Sequence, residues 1–333
     1  MTGPTTPTPP RGAQSGFSLI ELMVGLGIGV FLIAGTLSVY QESQSAILAA
    51  ERISRVQESG RYALQAIEED IRAVGAWGML NSTEFVTGRA TPADPVNLPL
   101  AGACEPNWAV NLETPVEGGE NVNPYAASCL AGVGYVPGTD VLVVRYADQR
   151  DLTAADLAPG GLYLRSDQIK GELFTGVALP AGFAPGARIN ELHTVSYFVS
   201  SASDVDDEVP SLRRAFVDMT GGQPTVLIEE VISGVEDLQI QYGVDLTNDG
   251  SANSYVGADL VADPETIVSV RLWARIRTDR PELGFTDDRT WIYSEQQYNA
   301  GATPGTDDDA FRRTVVSKTI ELRNRRTDIF NGV

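Results

Sequence analysis

From Phe17 to Tyr40 the chain reads FSLIELMVGLGIGVFLIAGTLSVY, 24 residues in which the only ionisable group before the terminal tyrosine is Glu21. As a helix this run is about 36 Å long, enough to cross a hydrocarbon core of about 30 Å with some tilt. Residues 1–16, MTGPTTPTPPRGAQSG, are polar and rich in proline and threonine, a composition that does not support a helix. A conventional secretory signal places its small-residue cleavage site after an apolar run shorter than this one. Here the small residue, Gly16, stands before the run. A carboxylate within a lipid-facing segment costs a few kcal/mol and is normally kept for a partner, so Glu21 needs one. The alternative is an incidental polar residue near a helix end that reaches the interface.

The stretch G-F-S-L-I-E-L-M-V at Gly16 to Val24 resembles the processing motif of type IV pilins and type II secretion pseudopilins. The resemblance implies that a prepilin peptidase cuts between Gly16 and Phe17 and methylates the new amine of Phe17. It also makes Glu21 the fifth residue of the mature chain. That cut creates a cation, and in a low-dielectric setting the Phe17 amine of one subunit would pair with Glu21 of its neighbour, which favours one stagger over others. Gly25 and Gly29 form a G-x-x-x-G that lets another helix approach, though such glycines with Gly27 and Gly35 also occur in plain anchors. Arg11 and the need to export the following domain orient the N-terminus to the cytoplasm.

Beyond Tyr40, Ile53, Val56, Gly60, Ala63, Ile67, Ile71 and Val74 recur at steps of three and four, which continues the helix as an amphipathic one. Glu51 with Arg55 and Glu68 with Arg72 sit four apart on the expected wet side. Gly75, Trp77 and Gly78 end it. The expected organisation is a leader over 1–16, a membrane or filament-core helix over 17–41, its amphipathic continuation over 42–78, an irregular Pro/Gly/Asn-rich region over 79–138, and a β-rich domain over 139–333. Ile267 to Arg277 alternates, with Val268, Val270, Leu272, Ala274 and Ile276 on one face and Ser269, Arg271, Trp273, Arg275 and Arg277 on the other, the pattern of a half-buried antiparallel sheet. Further strands are expected at Asp140–Tyr146, Thr194–Val199, Leu212–Val217, Thr225–Glu229, Val235–Val244, Thr290–Tyr293 and Thr314–Leu322. A long helix packed on such a sheet is α+β architecture.

Cys104 and Cys129 lie in the irregular region with no metal-type spacing. A disulfide would close a loop of about 26 residues, stabilise the fold by roughly 3–4 kcal/mol and place the domain in an oxidising compartment such as the periplasm; two free buried thiols are the alternative. The formal net charge of -20 argues against nucleic acid as a partner. His193, the one histidine, falls in an expected strand and reads as structural. No nucleophile elbow, zinc-protease or phosphate-cradling motif occurs, so no catalytic function is expected. In D-L-T-N-D-G-S-A-N, Asp245, Thr247 and Asp249 alternate before Gly250 as in a calcium loop, but Val256 occupies the place of the bidentate acid. The competing reading, which is favoured, is a turn built on N-D-G between Val244 and Tyr255.

The stretches Glu51–Leu64 (E-R-I-S-R-V-Q-E-S-G-R-Y-A-L), Val235–Asp245 and Glu321–Arg325 resemble the PilW family of minor pilins, which is similar in architecture to J-type pseudopilins. The resemblance implies no cofactor, an inner-membrane protein carried into a surface pilus, and partners among other minor pilins, the major pilin and the prepilin peptidase. It implies a role in priming or capping the fibre. The alternatives are a J-like secretion pseudopilin and, in another class, a membrane-anchored periplasmic binding module or enzyme.

Overall fold

The computed structural model describes residues 16, 18–90, 104, 107–125, 128–220, 223–299 and 307–324. Most of the leader, Phe17 and Arg325 therefore lie outside the described residues. One helix, α1, spans Leu19–Ala73. It ends at Ala73 rather than at residue 78, where Gly75 turns the chain with φ 76° and its amide reaches Arg145 O. A positive φ of this kind is open to glycine at little cost.

The chain divides into two compact units, residues 1–51 and 52–333. In the first, α1 runs without strands, and every large apolar side chain from Leu19 to Tyr40 is exposed. In the second, the strands among the described residues form three sheets. An eight-stranded sheet holds β1 (Val86–Thr87), β2 (Val116–Gly119), β3 (Val141–Ala147), β4 (Leu162–Ser166), β5 (Gly171–Thr175), β6 (Arg188–Ser200), β7 (Ser211–Thr220) and β8 (Gln223–Ser233). Its seam is β6, which pairs with β4 at its start, β3 in its centre and β7 at its end. All pairs are antiparallel except β1 with β5. A four-stranded sheet holds β9 (Val235–Val244), β10 (Ser254–Val256), β11 (Ile267–Arg277) and, after the hairpin of β12 (Thr290–Tyr293) with β13 (Gln296–Asn299), β14 (Arg313–Glu321).

The second half of α1 packs on both large sheets. Val56, Ala63, Leu64, Ile67 and Ile71 share one core with Leu142, Val144 and Tyr197 of the first sheet and with Leu238, Leu272, Ile276 and Ile320 of the second. Gly60 lets the helix come close: a Cβ there would stand 3.0 Å from Ile276 Cδ1 and 3.1 Å from Val316 Cγ1. Two expectations for this face need correction. Ile53 is exposed, and Glu68 is buried instead of wet, because Lys318 joins Arg72 on its carboxylate.

The region expected to be irregular is the second cover of the eight-stranded sheet. Trp108, Val110, Leu112, Tyr125 and Leu130 pack with Val141, Val143, Phe198 and Ala215 on the face opposite the helix. With α1 on one side and this segment on the other, β3 is buried at every residue but Tyr146, so VLVVRYA is a nearly continuous apolar run as expected of a strand covered twice. The half-buried sheet is also corrected. Arg275, on the expected wet face of β11, is buried between Glu236 and Tyr298, and a bulge at the start of β11 puts Ile267 in the core in place of Val268.

Candidate functional site

Of the residues expected to direct processing and assembly, Gly16 and Glu21 are described at the head of α1. Gly16 is exposed, and the Ser18 amide donates to Glu21 Oε2 at 3.0 Å, the reach of a first-turn acid to an unsatisfied helix N-terminus. Among the described residues no cation pairs with Glu21. Around and below it, 14 large apolar side chains between Leu19 and Tyr40 stand exposed. Covering them is worth roughly 20–40 kcal/mol at about 1.5–3 kcal/mol per side chain. The helix is long and apolar enough to cross a membrane. An added Cβ at Gly25, Gly27, Gly29 or Gly35 would meet nothing within 4 Å among the described residues, so no packing among them requires those glycines.

The second half of the helix is locked to its sheets by polar clamps that periodicity does not reveal. Asp70 accepts from the hydroxyls of Tyr146 and Tyr197, at 2.7 and 2.6 Å. Burial and the Asp70 charge hold both phenols far above their usual range. Lys318 and Arg72 hold the Glu68 carboxyl below its ordinary value against the opposing effect of burial. Nearer the start of the second unit, Arg52 reaches Glu282 at 3.3 Å, and Arg312 holds the same carboxylate at 2.5 Å.

Cys104 and Cys129 are joined in a disulfide with Cα atoms 4.2 Å apart, as the first of the two readings expected. The segment that they clamp is further held by Arg145, whose side chain is almost completely buried. Its guanidinium donates to Trp108 O, Thr114 O and Glu117 Oε1, each at 2.6 Å. Burial pushes the Glu117 carboxyl up, but the charge and hydrogen bonds of Arg145 outweigh it, and the group ends below its ordinary range. A lone arginine within an apolar strand was the only trace of this in the sequence.

The Asp245 loop has the geometry of the turn. Asp245 Oδ1 accepts from the amides of Thr247 and Asn248 at 3.1 and 2.7 Å, and Oδ2 from Gly250 at 2.6 Å. Asn248 and Gly250 take the left-handed φ values of 58° and 80° that N-D-G supplies readily. The carboxylate is thus turned on its own backbone, and Asp249 Oδ1 accepts from Ser251 instead of converging with it. Among the described residues no three His, Cys, Asp or Glu side chains are grouped to hold a metal. His193 stacks on Tyr146 with ring centroids 5.2 Å apart, a packing role.

A long N-terminal helix, apolar in its first part and packed on antiparallel sheets in its second, with a prepilin-type motif at its head, is a pilin-like fold. Residues 11–37 match the prokaryotic N-terminal methylation motif. Residues 196–324 match the Type IV Pilus-assembly protein W family. Both families are of structural pilus components. Among solved structures a type IV-like pilin from Thermus thermophilus is similar at 19% identity, covering 50% of this chain and 86% of its own, with a TM-score of 0.24. No curated protein matches the sequence.

Proposed function

We propose that the chain is a minor pilin that enters the inner membrane with its β-domain in the periplasm, is cut between Gly16 and Phe17, and primes or caps a type IV pilus. In this reading the methylated Phe17 amine pairs with Glu21 of an adjacent subunit. The observation that carries it is the placement of Glu21, an acid with no cation partner among the described residues, on a helix whose apolar side chains from Leu19 to Tyr40 have no cover among the described residues. Membrane lipid covers the apolar groups but does not neutralise the acid. A neighbouring helix with a free amine at its start does both.

Disulfide formation agrees with exposure to an oxidising compartment. The other minor pilins, the major pilin and the prepilin peptidase are the partners this role requires, and it requires no cofactor and no catalytic residue. The test is Glu21→Ala in cells that make pili. Normal membrane insertion with loss of the subunit from sheared fibres is the expected result, whereas unchanged incorporation removes Glu21 from assembly. Processed protein that stays in the membrane fraction of wild-type cells favours a secretion pseudopilin.

A further inference from the structure

Along the outer face of β11 the side chains of Arg271, Trp273 and Arg275 follow one another, and each arginine lies on a tyrosine ring. The Arg271 guanidinium is 3.6 Å from the Tyr255 ring centroid, and that of Arg275 is 3.5 Å from the centroid of Tyr298. The indole between them is half-buried. The two stacks differ in charge. Arg275 is paired with Glu236 Oε2 at 2.9 Å, a carboxylate shared with Arg313, and has Asp237 Oδ2 at 3.9 Å. Among the described residues Arg271 has one side-chain hydrogen bond, Nε to Thr319 Oγ1 at 3.2 Å, and no carboxylate pairs with it.

The Arg271 stack is nonetheless built into the fold. Gly243, opposite Tyr255 in the β9–β10 pair, leaves the space that the phenol ring crosses: a Cβ there would stand 2.9 Å from Tyr255 Cε1 and 2.1 Å from Ser269 Oγ. Ser269 then donates to the Tyr255 hydroxyl at 3.3 Å. With its plane set by the ring and its Nε tied to β14, the guanidinium keeps its two terminal nitrogens for an acceptor. This is the planar fork that binds a carboxylate through two parallel hydrogen bonds, with little side-chain entropy left to lose.

We infer that Arg271 and Trp273 form a docking point for an acidic side chain of another subunit of the same fibre, with the carboxylate on Arg271 and its apolar neighbour on the indole. The inference rests on the pilus reading above. Charge complementarity selects the occupant: the matched stack on the same strand carries its acids from within the chain, and the unmatched one lacks only that group. Since the whole chain is strongly acidic, its long-range field opposes such a partner, so the contact is made at short range and weakens with salt.

The experiment places p-benzoylphenylalanine at Ser317, the exposed residue paired with Trp273 across β14, in full-length protein in cells assembling pili. Irradiation is expected to join the chain to another pilus subunit at a peptide containing Asp or Glu. Arg271→Gln should cut that adduct about tenfold or more, the scale of a lost charge-assisted pair, while the variant melts at the parent temperature. Reversal of the mapped acid to Arg should restore the adduct in an Arg271→Glu background. An adduct insensitive to residue 271, one mapping to lipid or to a segment without acids, or none from chains present in fibres overturns the inference. Absence of the unmodified chain from fibres is read separately, from its N-terminal peptide, and overturns the pilus reading itself.

Discussion

Replacement of Arg145 by methionine tests whether the disulfide-bearing segment is a structural layer of the domain. Methionine keeps the unbranched stem but removes the hydrogen bonds to Trp108 O, Thr114 O and Glu117. Breaking a buried ion pair on one side costs about 3–5 kcal/mol, because the remaining charge is stranded. Glu117 retains its contacts with Thr114 and Tyr125 and its side chain is 29% exposed, so water relieves part of that penalty. The two stranded carbonyls act in the other direction, at about 1–3 kcal/mol for each that stays dry. The expected loss is about 4 kcal/mol, a large share of the roughly 5–15 kcal/mol typical of a domain. It is read as a shift in the urea midpoint at unchanged slope, followed by tryptophan fluorescence. Adding Glu117→Gln to Arg145→Met removes the stranded charge and should recover about 2 kcal/mol. A loss under about 1 kcal/mol, or no recovery in the double variant, refutes the argument that this ion pair anchors the layer.

Three further outcomes follow from the packing. At Gly60, alanine gains about 1 kcal/mol of helix propensity and loses about 1–3 kcal/mol to crowding against Ile276 and Val316, so Gly60→Ala should be neutral to mildly destabilising in thermal melts and Gly60→Leu severely so. Burial of Asp140, with Glu120 and Asp237 nearby, raises its carboxyl from 3.8 to about 7 even though two amides donate to it. A raised acid contributes stability that is full below its unfolded value and is lost as pH rises through the folded one. Stability in the parent should therefore fall between about pH 4 and pH 7, and this slope should flatten in Asp140→Asn, which is less stable at pH 5 because an amide side chain cannot accept from both Asn121 and Ile240. In the Asp245 loop, Asp245→Ala should lower the melting temperature with or without calcium, and calcium should not shift the parent; a calcium-dependent rise in the parent would restore the metal reading.

The sequence revealed the elements whose burial repeats at short range. Strands β9 and β11 have the expected bounds, Val235–Val244 and Ile267–Arg277, and the helix face from Val56 to Ile71 follows from its spacing. What stayed hidden depends on partners far along the chain. Residues 107–130 show no period because they pack as a layer on a sheet formed later in sequence, held by Arg145 and by the Trp108 indole donating to Ser196. Strands β1, β2, β4, β5, β10 and β13 are two to five residues long, too short for alternation to stand out. Arg275 reads as a wet residue until Glu236 and the hairpin that carries Tyr298 are seen to cover it. At the helix head the reverse holds: Gly16, Phe17 and Glu21 were read from their order alone, and the roles proposed for them, processing and assembly, do not depend on contacts within the chain.

Mass spectrometry of the N-terminal peptide from sheared fibres and from membranes reads out whether this chain is processed as a prepilin and carried into a fibre. A peptide beginning at N-methylated Phe17 in the fibre fraction is the predicted result; a chain that keeps residues 1–16 in both fractions contradicts it.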